Sequence, residues 1–211
     1  MDKILPKIKV LQYMHGTQEY FSISEKINGL YCRRYGHEHV IIRTPPSEDR
    51  HITWQKIPTI ISELSDCDYL LFVDADAIFY SHELTIDNEL IPLMNGKSIL
   101  MAQDIGCESL RWTPGHPNSG VMLIKNDNYV REFFEFWNSA SEIDEKTKWA
   151  WPPEQRALWD IVIPKYANLI EVHSEYYLIQ GRYGQFIRHY MLMPDDERIE
   201  KMKTVCKFRN W

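Results

Sequence analysis

A chain of 211 residues, 44% hydrophobic and 26% charged, can bury the core of one ordinary to large domain, which excludes a disordered polymer. Its formal charge of −6 argues against nucleic acid as a partner. The 7 Trp and 12 Tyr are compatible with sugar-stacking surfaces, although core and rim packing account for most of them.

The four cysteines, Cys32, Cys67, Cys107 and Cys206, form no CxxC pair, so neither a zinc site nor a disulfide framework is expected and a reducing compartment fits best. Met1 to Met14 carries Pro6 and three lysines among its apolar residues, which is neither a signal peptide nor a membrane span. The expectation is a soluble, cytoplasmic chain forming one domain over residues 1–211, with room for it to be cut from a longer protein.

In chain order, Ile8 to Tyr13 reads as a first strand. Gln18 to Tyr35 carries apolar residues at helical spacing and stops at Gly36. His39 to Arg43 reads as a second strand, with His37 and His39 taken as surface residues around Glu38. A helix follows over Thr53 to Leu64, with Pro58 in its first turn or kinking it. Tyr69 to Val73 is a third strand, Leu84 to Met94 a helix, and Ser98 to Ala102 a strand ending at Gln103-Asp104. Trp112 to Gly120 is rich in turn formers and leads into a strand over Val121 to Ile124. Helices are expected over Tyr129 to Trp137 and Glu154 to Pro164, and a late strand over Leu169 to Val172. A basic, glycine-containing loop over Gly181 to Arg188 and a charged helix over Asp195 to Lys203 close the chain. Strands alternating with helices, without repeat or linker, give an α/β fold in a single domain.

The stretch Tyr69-Leu-Leu-Phe-Val73 is short, apolar and rich in β-forming residues, the pattern of a strand buried on both faces of a mostly parallel sheet. Asp74 and Asp76 stand at its end and, two residues apart, point to one side of an extended chain. Two carboxylates there are costly unless a cation or hydrogen bonds neutralise them. The carboxyl ends of parallel strands are also where open α/β sheets bind ligands. A divalent metal carrying a phosphorylated ligand explains the pair economically; a capped turn with solvated carboxylates is the plainer reading. Asp66-Cys-Asp68, a second such triplet, precedes the strand and reads as a solvated turn.

Further pieces occur in one order: Asn28-Gly-Leu-Tyr-Cys-Arg-Arg-Tyr-Gly36, Trp54-Gln-Lys56, Asp74-Ala-Asp-Ala77, Asn118-Ser-Gly120, Glu154-Gln155 and Phe186-Ile-Arg-His189. Together they span nearly the whole chain. The set resembles nucleotide-sugar-dependent glycosyltransferases of the GT-A fold, particularly the galactosyl-, mannosyl- and xylosyltransferases of family 34. The resemblance implies a Rossmann-like, mixed and mostly parallel sheet flanked by helices. It implies transfer of a hexose from a nucleotide-diphosphate sugar, with a UDP-sugar favoured over GDP-mannose, to a glycan or glycoprotein, with retention.

It also implies roles. Asp76 would ligate the metal and Asp74 would contact it or the ribose. His189 resembles the family's late histidine, with His173 as rival and a core histidine as the plain alternative. Mn²⁺ suits this mixed oxygen and imidazole set better than Mg²⁺, which remains compatible with it. Arg182, Arg188 and Lys56 would face the diphosphate and Tyr13 the base. The backbone of Asn118-Ser-Gly120 would approach donor and acceptor. Gln155 and Glu154 are the candidates to stabilise an oxocarbenium-like transition state, and Asp104 to bind sugar hydroxyls. Glu154 reads equally as a helix start after Pro153, and Trp149 and Trp151 as either acceptor platforms or loop packing. Two other readings are carried: a haloacid-dehalogenase-like phosphatase, whose Asp-x-Asp motif usually opens the chain, and a sugar-nucleotide-binding module without turnover.

Overall fold

The computed structural model describes residues 5–104, 116–143, 145–174 and 176–209. Cys107 and the Trp112-to-Gly115 part of the expected turn-rich loop lie outside them; Cys32, Cys67 and Cys206 are free thiols.

A six-stranded sheet runs in the order β2 (Glu38–Ile42), β1 (Ile8–Tyr13), β3 (Tyr69–Val73), β6 (Pro117–Lys125), β5 (Ile99–Gln103), β7 (Ile170–His173). All strands but β6 are parallel. Side-chain alternation on β3 sends Leu70 and Phe72 to one core and Leu71 and Val73 to the other. The first core is covered by α2 (Lys56–Glu63), α4 (Val130–Ser139) and the segment from α6 (Pro153–Ala157) through a π-helical stretch, Leu158–Val162, into α7 (Ile163–Tyr166). α4 buries Val130, Phe133, Phe134 and Trp137, one helical stripe. The second core lies under α1 (Glu19–Tyr35), whose end at left-handed Gly36 matches the sequence signal.

Several elements depart from expectation. The helix expected over Leu84 to Met94 shrinks to α3 (Ile86–Glu89) and a 3₁₀ turn, Pro92–Met94. Pro92 cannot donate into a continuing helix, and Asn95 and Gly96 take left-handed conformations that end it. Residues 118–120 are not a turn but part of β6, which is longer than expected. The basic loop ends in a short strand, β8 (Ile187–His189), which pairs antiparallel with β4 (Ala77–Phe79), a strand not anticipated. The final helix, α9 (Asp195–Arg209), outruns its expected end. The helices α5 (Glu145–Trp149) and α8 (Tyr176–Ile179) are short. His39 is not a surface residue: it is half-buried and its Nε2 lies 3.1 Å from Gln12 Oε1. No described helix is long and apolar enough to cross a membrane.

Candidate active site

The turn after β3 is held from below by buried amides. Gln12 Nε2 donates to the Asp74 carbonyl at 3.3 Å and to Ser24 Oγ at 3.1 Å. Asn28 donates to the Ala77 carbonyl at 3.0 Å and accepts from Phe79 N–H at 2.9 Å, so it clamps β4. The Asn28-Gly29 piece of the sequence pattern is therefore a support for the carboxylate turn.

β8 pairs His189 with Ala77, one residue past Asp76. His189 Nε2 consequently lies 3.1 Å from Asp76 Oδ1 and 3.7 Å from Asp74 Oδ2. One ligand atom from each of Asp74, Asp76 and His189 falls within a 4.8 Å cluster. Two carboxylates and an imidazole fit a divalent cation, and the buried Nδ1 of His189 has no hydrogen-bond partner. His173, the rival, sits on β7 beside Ala102 and is outside this cluster.

The cluster opens into a cleft of about 530 Å³. Its opposite wall carries Glu154, Gln155, Asn118 and Ser119. Lys56 lies between the walls, with Nζ 3.1 Å from Asp74 Oδ1 and 3.2 Å from Glu154 Oε1. Gln155 Oε1 accepts from Ser119 N–H at 2.8 Å, and its Nε2 lies 3.4 Å from Asp104 Oδ2. Asp104 is buried and accepts from Asn118 Nδ2 at 2.6 Å, so it positions the amides of the wall. Gly120 permits a close approach within the protein itself. A Cβ there would lie 2.2 Å from His189 Cε1 and 2.8 Å from Asp74 Oδ2, so the close approach is to the histidine ring. Ser119 to Val121 bulge out of register with β5, which steps from Met101 opposite Met122 to Ala102 opposite Asn118.

The charges reinforce one another. Burial opposes protonation of His189, but Asp76 and, behind it, Asp74 raise its pKa above the ordinary histidine value. Burial also opposes ionisation of Asp76, yet His189 and Arg198 draw its pKa below the usual range. For Asp74 burial prevails over Lys56 and His189, and its pKa rises. Glu154, despite burial, is lowered by Lys56. Lys56 is raised by Asp74 and Glu154 against the cost of burial.

A smaller hollow of about 260 Å³ shares Lys56, Asp74 and Asp76 with the cleft and is lined by Tyr13, Phe72 and Trp151. Tyr13 thus reaches the site, with its hydroxyl donating to the Thr44 carbonyl at 3.0 Å. Trp151 lines both spaces and is 46% exposed, whereas Trp149 lines neither. The structure does not bring Arg182 and Arg188 to the carboxylates. Neighbours alternate on β8, so Arg188 faces away from the side that His189 faces, and Arg182 goes with it. The arginine beside the carboxylates is Arg198 of α9, with Nη2 3.3 Å from Asp76 Oδ2. It lies in a charged helix with no local signal to single it out.

No curated protein matches the chain in sequence. Solved structures that share its fold include three glycosyltransferases. A glycosyltransferase involved in the glycosylation of the major capsid of PBCV-1 matches 94% of this chain and 100% of its own at 16% identity, TM-score 0.76. The galactosyltransferase LgtC, in complex with donor and acceptor sugar analogs, matches 93% of this chain and 95% of its own at 12% identity, TM-score 0.58. The glycosyltransferase GlyE of Streptococcus pneumoniae TIGR4, in its apo form, matches 96% of this chain and 62% of its own at 11% identity, TM-score 0.60. The sheet order and these matches make the fold GT-A. The model of the galactosyl transferase GMA12/MNN10 family matches residues 8–182, most of the chain. That family membership displaces the phosphatase reading: the chain belongs to the galactosyl transferase GMA12/MNN10 family of glycosyltransferases.

Proposed function

We propose that the chain moves a hexose from a nucleotide-diphosphate sugar, UDP-linked by preference, to a glycan or glycoprotein acceptor, with a divalent cation and with retention. The convergence of Asp74, Asp76 and His189 at the carboxyl end of β3, inside a cleft, carries this reading.

Asp74, Asp76 and His189 would hold the cation, Mn²⁺ by its tolerance of mixed ligands. When bound, the cation neutralises charge on a diphosphate leaving group, which otherwise departs poorly. Lys56 and Arg198 flank the carboxylates and add positive charge on the same side. The Tyr13 hollow suits the flat base, with Asp74 turned toward the ribose as much as toward the cation.

Across the cleft, Glu154 is the carboxylate held ionised by Lys56, placed to stabilise positive charge at a sugar carbon. Gln155 shares that wall, with its carbonyl oxygen committed to Ser119, and Asp104 keeps Asn118 and Gln155 oriented. Exposed Trp151 at the rim offers an acceptor sugar an aromatic face. A relative involved in glycosylating a viral capsid protein makes protein-bearing acceptors the first to try.

The test is a panel of UDP-sugars and GDP-mannose, with and without Mn²⁺, reading nucleoside diphosphate release and product anomer. Metal-dependent release with the anomeric configuration kept is expected. A donor that binds yet is neither hydrolysed nor transferred to any acceptor leaves only a binding module.

A further inference from the structure

Glu154 and Gln155 are neighbours on α6 and line one cleft, and a single residue of β6 decides which atoms they present. Ser119 is 1% exposed and bonds to both. Its backbone N–H donates to Gln155 Oε1 at 2.8 Å. Its hydroxyl lies 3.2 Å from Gln155 Oε1 and 3.2 Å from Glu154 Oε1, and accepts from Lys56 Nζ at 3.4 Å. A hydroxyl has one hydrogen, and an ionised carboxylate is a stronger acceptor than an amide oxygen that already has a donor. The hydroxyl proton therefore goes to Glu154 and the N–H to Gln155.

The Gln155 amide is not free to turn over. A backbone N–H can only donate, so the amide atom 2.8 Å from it is the oxygen. Turned over, the amide would set two donors against each other there. It would also put its oxygen beside Asp104, whose Oδ2 lies 3.4 Å from Gln155 Nε2 and already accepts from Asn118 at 2.6 Å. The nitrogen carries two hydrogens, and Asp104 takes one of them. An amide that only braces α6 against β6 accounts for the oxygen but gives the second hydrogen no partner, and Gln155 lines the cleft.

We propose that Gln155 reads the transferred sugar as a hydrogen-bond donor, through Nε2 to one of its hydroxyl oxygens, and that Ser119 is the positioning residue that fixes this orientation and holds Glu154 beside it. The inference rests on the transfer reading above and gives the two neighbours opposite roles. Glu154 offers negative charge, whereas Gln155 offers a proton donor. A sugar without that hydroxyl leaves the buried N–H unpaired, so the contact discriminates among sugars carried on one nucleotide.

Two measurements separate the orientation from the role. Without ligand, amide hydrogen exchange read by NMR should quicken at Ser119 by about tenfold or more in Gln155→Met, the scale of a lost hydrogen bond, while Leu123 of the same strand keeps its rate. Unchanged exchange at Ser119 overturns the inference. With Mn²⁺ and the donor that the nucleotide-sugar panel selects, Gln155→Met and Gln155→Glu should both raise the donor KM by about tenfold or more, Gln155→Glu the more because its carboxylate faces Asp104. Ser119→Ala, which keeps the N–H, should instead lower kcat several-fold at unchanged donor KM. Turnover by Gln155→Glu equal to or above that of the wild type would make the oxygen the working atom and overturns the donor role. Wild-type kinetics in Ser119→Ala overturn the positioning role. Absence of turnover by the wild type with every donor defeats the transfer reading and the sugar contact with it, while the exchange rates separately decide the orientation.

Discussion

Gly120 of β6 and His189 of β8 exclude one another's space: a methyl group on the glycine would stand 2.2 Å from the imidazole Cε1. Both the antiparallel strand of the main sheet and the short β4–β8 pair must therefore be in place before the histidine can face Asp74 and Asp76. The missing side chain at position 120 is part of what lets the imidazole lie against the two carboxylates.

Gly120→Ala should consequently push the imidazole off the carboxylates without unfolding the chain. Overpacking of this kind costs about 1–3 kcal/mol. Calorimetric titration with Mn²⁺ should show at least about tenfold weaker binding, the equivalent of roughly 1.4 kcal/mol. Unchanged affinity would mean that the ring does not serve as a ligand.

Asp76→Ala should abolish cation-dependent donor binding, and His189→Ala should weaken Mn²⁺ while the fold persists. His173→Ala, on β7 and outside the cluster, should do neither. A Mn²⁺ loss in His173→Ala instead of His189→Ala would move the site to the other histidine.

Protonation of His189 gives a signed pH dependence. Its folded pKa is raised, so the interaction contributes stability fully below the ordinary histidine value and loses it as pH rises through the folded value. Without metal, melting temperature should fall as pH rises from about 6.5 upward. With Mn²⁺ the trend should reverse, because the cation binds the neutral ring and competes with the proton. Parallel melts across that range with EDTA and with Mn²⁺ check both signs.

Lys56 bridges Asp74 and Glu154 with 7% of its side chain exposed. Lys56→Met strands the buried carboxylate of Glu154 and the part-buried one of Asp74 and should cost about 3 kcal/mol in denaturant unfolding, the low end for a broken buried pair. Adding Glu154→Gln should recover part of that loss. If the double variant is no more stable than the single, the lysine is not holding the two walls together.

The sequence by itself determined most of the local elements and the position of the carboxylate pair. Leu70 to Val73, four apolar side chains in a row, had to be buried on both faces of a strand, and that placed Asp74 and Asp76 at its tip. Glycine at position 36 ended α1, and the amphipathic spacing from Val130 to Trp137 fixed the buried stripe of α4. Most of the site residues named from the resemblance, Lys56, Asn118, Gly120, Glu154, Gln155 and His189, do meet around one cleft.

Tertiary structure alone decided which cations face it. Arg182, Arg188 and Arg198 are alike in composition, and no local pattern ranks them. The three-residue pairing of β8 with β4 has too weak a sequence signature to be anticipated, yet it sets the register that turns His189 toward the carboxylates and Arg188 away. Arg198 then enters by the packing of α9 across α1, a contact between segments far apart in the chain. Side-chain period along a strand is local physics; the choice of partner strand, and so of the face each residue serves, belongs to the whole fold.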